Sequence, residues 1–129
     1  MTTLSFRSKI IAGALAAVAF GSIAQAHPKL IAATPAATSV ANGKGDITLK
    51  FSEALVAQFS GMSIMMTDMP GMKMNAPMAM GIKTTVAVDG KTLVGHPAAP
   101  LPAGSYSVAW HAVTADTHRV KGSYSFTVK

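Results

Sequence analysis

The sequence predicts an all-β domain, an immunoglobulin-like Greek-key β-sandwich of about seven strands, preceded by a cleaved signal peptide. Three observations predict it. Apolar residues alternate with period two in several short runs, turn-forming residues separate those runs, and nothing beyond residue 26 sustains helical periodicity. Short strands with Gly and Pro between them favour two antiparallel sheets packed face to face.

The leader comes first. Arg7 and Lys9 precede an apolar run from Ile10 to Ile23 that closes on Ala24-Gln25-Ala26. A positive start, a short apolar stretch and a small-residue A-x-A site describe a secretory signal cut after Ala26. A membrane-spanning helix needs about 20 apolar residues, and this run is shorter and interrupted by Gly13 and Gly21. Cleavage leaves residues 27–129, which begin His27-Pro28-Lys29-Leu30 and suffice for one domain with one modest core.

Within that domain the clearest strands follow from alternation. Ile47, Leu49 and Phe51 share one face, as do Tyr106, Val108 and Trp110, and then Tyr124, Phe126 and Val128. Weaker candidates are residues 29–33, 62–66, 82–88 and 91–95. Asn42-Gly43, Pro70-Gly71, Asp89-Gly90 and Pro102-Ala103-Gly104 supply the turns between them. Cysteine is absent, so an exported chain of this size holds together by packing alone and has no thiolate to offer a metal. Beyond the leader the Lys and Arg residues outnumber the acidic ones but stand singly, which describes a solvated surface and excludes a dense nucleic-acid or lipid patch.

Eight of the nine methionines fall between residues 62 and 80. Met62, Met65 and Met66 sit in a strand candidate and Met80 next to another, where a flexible gap-filler for the core explains them. From Met69 onward that explanation weakens. Pro70, Gly71, Asn75 and Pro77 break both helix and strand, and put Met69, Met72, Met74 and Met78 on a surface loop. Thioether sulfur is soft and has no proton to lose, so it suits Cu(I) where free thiols oxidise, while offering little to Zn(II) or Mg(II). Recognition of apolar partners by a methionine-rich surface is the competing reading.

Of the four histidines, His96 beside Pro97 and His111 beside Trp110 read as ordinary surface or core residues. His118 differs, because Asp116 two residues earlier shares its face in an extended segment. His27 differs more. After cleavage it presents an imidazole and a free α-amine on one residue, two nitrogens that close a chelate ring around Cu(II), which favours tetragonal nitrogen and oxygen ligation. The amine's ordinary pKa of about 8 makes loss of its proton to a metal cheap near neutrality. Pro28 has no amide hydrogen, so the next backbone nitrogen is excluded as a ligand. His27, His118 and Asp116 complete a plausible square, with Glu53 placed to hydrogen-bond to one of these ligands from outside it.

With those residues in view, the sequence closely resembles the CopC family of periplasmic copper-resistance proteins. The resemblance covers essentially residues 27–129. It is carried by His27-Pro28-Lys29-Leu30, Phe51-Ser52-Glu53, Gln58-Phe59-Ser60-Gly61, Met69-Pro70-Gly71-Met72, residues 101–110 and Asp116-Thr117-His118. It implies a periplasmic β-sandwich copper carrier with a Cu(II) site at one end on His27, Asp116 and His118, with Glu53 adjacent. In many members a Cu(I) site lies at the other end, and by position its ligands fall on Met66, Met69, Met72 and Met78. Where members with two sites can have a histidine in the methionine loop, this chain has Met74, with an extra residue before Met78, so its site would be all thioether.

The expected role is to hold copper and pass it to a membrane copper importer or a multicopper oxidase, as a monomer, without catalysis and without nucleic acid. The alternative is a small copper-dependent monooxygenase that uses a similar N-terminal histidine chelate on a related sandwich. An electron-transfer cupredoxin is excluded by the missing cysteine.

Overall fold

The computed structural model describes residues 28–129, so the signal segment 1–26 and His27 lie outside the described residues. In chain order the strands are β1 (Leu30–Thr34), β2 (Val40–Ala41), β3 (Ile47–Phe51), β4 (Gly61–Asp68), β5 (Met78–Met80), β6 (Ile82–Val86), β7 (Thr92–Pro97), β8 (Gly104–Val113) and β9 (Arg119–Val128), with a short 3-10 helix at Ala57–Phe59. They form a four-stranded sheet ordered β1-β3-β7-β6 and a five-stranded sheet ordered β2-β9-β8-β4-β5. Every pairing is antiparallel except β2 with β9. The non-sequential strand orders are those of a Greek-key sandwich.

The predicted alternation builds the core. Ile47, Leu49 and Phe51 of β3 are buried from one sheet, and Tyr106, Val108, Phe126 and Val128 meet them from the other. Phe51 packs edge-on to Trp110 with ring centroids 5.0 Å apart, a favoured aromatic geometry. The Tyr106 hydroxyl donates to the Pro102 carbonyl oxygen at 2.5 Å and fixes the corner into β8. Met62, Ile64 and Met66 fill the core from β4. The sheets approach closely at Gly95, where an added Cβ would lie 2.5 Å from the Met62 sulfur.

Two strands were not among those predicted. β2 is two residues long and β5 is three, too short for a period to register. β5 lies inside the methionine-rich segment, where Met78 pairs with Met66 and Met80 with Ile64. β7 runs on to Pro97, so His96 is a strand residue, with its Nδ1 3.0 Å from the Asp46 carboxylate and its Nε2 hydrogen-bonded to Thr85 at 3.2 Å.

Candidate metal centre

The two ends of β8 carry the two candidate clusters. β8 is ten residues long, and at roughly 3.4 Å per residue it separates them by about 30 Å. At its end, residues 114–118 turn the chain into β9. The Thr117 amide donates to the Thr114 carbonyl at 2.9 Å and the Thr114 amide to the His118 carbonyl at 3.0 Å. Thr117 sits at φ 71, the left-handed position that follows a type I turn in a three-residue hairpin loop. The convergence of Asp116 and His118 is therefore made by a turn, where alternation along an extended segment was expected. A β-branched residue in this region is strained by about 1–2 kcal/mol. Thr117→Asn, which tolerates the conformation, is expected to raise Tm by about 4–8 °C on a domain of this size. Calorimetry of the two proteins checks this.

The turn brings one carboxylate and one imidazole together. His118 Nδ1 lies 2.8 Å from Asp116 Oδ2, and the Thr114 hydroxyl donates to Asp116 Oδ1. Thr114 is only 2% exposed, so the Asp116 carboxylate is held from beneath by a fixed donor. The Thr114 hydroxyl first and His118 second pull the Asp116 carboxyl down to about 2. An ionised carboxylate only accepts, so Nδ1 of His118 carries the proton in this bond. Thr114→Val is expected to move the Asp116 midpoint up toward its ordinary 3.8, which a carboxyl-carbon NMR titration reads directly. Sequence reading missed Thr114, because its burial beneath Asp116 follows from the fold and from no local pattern.

With bonds of about 2.0 Å, adjacent corners of a square around a metal lie about 2.8 Å apart. The Asp116 to His118 spacing already matches one such edge, so a cation can replace the shared proton. The same bond also suits a carboxylate that orients a metal-binding imidazole. Among the described residues no group of three or more His, Cys, Asp or Glu side chains converges. A complete shell therefore needs a donor from elsewhere.

The segment 52–55 joins this turn to the start of the described chain. The Lys29 amide donates to Ser52 Oγ at 2.9 Å and the Ser52 amide returns a bond to the Lys29 carbonyl at 2.9 Å. Two residues on, the Ala115 amide donates to the Ala54 carbonyl at 3.2 Å, and Leu55 bridges Thr114. Pro28 is buried beside this seam, and Glu53 is half-buried within it.

The methionines divide at the far end. Met66 is 1% exposed in the core, as its strand position predicts, beside Met78 on β5, which is 52% exposed. Met69 and Met72 close a turn, the Met72 amide donating to the Met69 carbonyl at 3.1 Å over Pro70 and Gly71, the glycine at φ 76. Met72 is 63% exposed, whereas Met69 and Met74 pack partly against the core. The structure thus pairs Met69 with Met72 and Met66 with Met78.

The CopC domain model matches residues 30–129. The chain is 50% identical over 107 residues to copper resistance protein C of Pseudomonas syringae pv. tomato, covering 83% of this chain and 84% of that protein. It is 44% identical over 117 residues to copper resistance protein C of Escherichia coli, covering 91% of each. Among solved structures it is similar to PcoC, a methionine-rich copper resistance protein from Escherichia coli, at TM-score 0.73 and 43% identity, covering 81% of this chain and 100% of that one. CopC from Methylosinus trichosporium OB3b, at TM-score 0.66 and 24% identity over 80% of this chain and 94% of that one, shares the fold.

Proposed function

We propose copper carriage as the function of this chain, which belongs to the CopC family. Copper is the cargo. In the processed protein, Cu(II) is held by the α-amine and imidazole of His27, the imidazole of His118 and the carboxylate of Asp116, with Glu53 hydrogen-bonding at the rim. The observation that carries this reading is the seam at residues 52–55, which ties Lys29 and residues 114–115 to one segment. His27 is joined directly to Pro28, so its two nitrogens belong at the end where the Asp116 to His118 edge stands. Cu(II) would displace the proton of the His27 amine to water and take each imidazole through a nitrogen that carries no proton, whereas the Asp116 carboxylate, with its pKa at about 2, is ready at neutral pH.

At the far end, Met66, Met69, Met72, Met74 and Met78 form the proposed Cu(I) site. Met72 and Met78 capture the ion first, because they are the exposed pair, and the half-buried Met69 and Met74 close on it. The protein acts in the periplasm after signal cleavage, as a monomer, and passes copper to a membrane importer or a multicopper oxidase. Its role is transport and protection without catalysis. Titrating the processed protein with Cu(II) in air and with Cu(I) under reductant tests the scheme: one ion of each is expected, bound independently. Oxidation of polysaccharide by the copper-loaded protein with a reductant would favour the monooxygenase alternative instead.

A further inference from the structure

The outer face of β8 and β9 carries a groove that neither copper site uses. It encloses about 380 Å3 and is lined by Phe59, His111, Val113, Arg119 and Lys121 among others. Antiparallel pairing sets His111 opposite Lys121 and Val113 opposite Arg119, so two cations and an imidazole share one patch of sheet. Among the described residues neither Arg119 nor Lys121 has an ion pair, and no acidic side chain lines the groove. Clustered like charges destabilise a sheet, so the fold gains nothing from this arrangement.

Phe59 forms the apolar wall. It is 55% exposed, although the 3-10 helix that carries it is firmly held. The Val56 amide donates to the Val113 carbonyl at 2.8 Å, and the Val113 amide donates to Ser60 Oγ at 3.0 Å. At Gly61 an added Cβ would stand 3.0 Å from His111 Cε1. Ser60 and Gly61 thus serve local packing, whereas Phe59 is held out in water with no such role.

We propose that this groove docks an acidic protein surface bearing one apolar anchor side chain, on a partner that exchanges copper at the Asp116 and His118 end. This rests on the copper-carriage reading above. Three features fix the occupant. The rim is cationic and unneutralised, which steers an acidic partner. The concavity beside Phe59 suits an inserted side chain, as interface anchors require. Val113 and Arg119 are the last strand pair before the 114–118 turn, so a partner seated here also covers the metal edge. A second copy is a poor occupant, since beyond the leader nine Lys and Arg stand against five acidic residues, a net of +4, and the groove would oppose its own cations.

The test uses isotope-labelled processed protein and, as probe, a blocked nonapeptide with one central phenylalanine among eight acidic residues. Saturable NMR shifts are expected at Phe59, His111 and Lys121. The Arg119→Glu, Lys121→Glu double variant should weaken binding by about tenfold or more, and Phe59→Ala by about tenfold. All substituted side chains are exposed, and Cu(II) uptake by the variants should match that of the parent. Absence of saturable shifts, equal response in the charge-reversed variant, or stronger groove shifts with phosphatidylglycerol vesicles than with the peptide would overturn the proposal. Failure of the unsubstituted protein to take up Cu(II) would instead remove the copper reading, whatever the peptide does.

Discussion

Acetylating the α-amine of His27 in the processed protein is expected to weaken Cu(II) binding by on the order of a hundredfold or more. The amine and imidazole share one residue, so once either nitrogen binds, the other is presented at an effective concentration worth about 10²–10⁴ in affinity. Acetylation removes one arm of that chelate. The backbone cannot supply a substitute beyond it, because Pro28 has no amide hydrogen to lose. Nothing in the fold should change, since Lys29 is held through Ser52 without the amine. A competition titration against a chelator of known strength, with circular dichroism as the control for folding, reads the loss. Unaltered affinity would mean that the amine is not a ligand.

The triple change Met69→Leu, Met72→Leu, Met74→Leu is expected to cost Cu(I) affinity more than about a hundredfold. Loss of even a supporting contact outside a coordination sphere costs about ten- to a hundredfold, and this change removes the donor atoms themselves. Leucine for methionine conserves volume, so the partly packed Met69 and Met74 should give up less than about 1.5 kcal/mol of stability each. Cu(II) binding should be unmoved, because sites separated by the length of β8 and sharing no partners act independently. Titration of Cu(I) under reductant with a colorimetric competitor measures the effect. Unchanged Cu(I) affinity would leave the loop to the recognition of apolar partners.

The legible and illegible parts of this molecule divide along physical lines. Period-two runs such as Ile47, Leu49 and Phe51 announced the core because burial on one sheet face imposes that period directly. β2 and β5 escaped because two or three residues hold no period. Asp116 and His118 were found as a pair, yet the reason offered was alternation along a strand, while the structure makes the pair with a turn and a residue at φ 71. Thr114 went unnoticed because its contribution depends on burial, which a sequence does not display. The seam at residues 52–55 was equally hidden, since Lys29 with Ser52 and Ala54 with Ala115 are joined by the fold and by no local pattern. Exposure within the methionine cluster was only partly readable. Pro70 and Gly71 located the turn correctly, but Met69 and Met74 fold back toward the core.

The proposed Cu(II) site is completed by signal cleavage, which would release an α-amine on His27, the residue joined to Pro28 at the start of the described chain. Paramagnetic resonance of the processed protein with one equivalent of Cu(II) tests it most directly. Tetragonal copper coupled to three nitrogens is predicted, from the His27 amine, the His27 imidazole and the His118 imidazole, and the spectrum should lose the amine nitrogen on acetylation. A spectrum identical before and after acetylation would contradict the account.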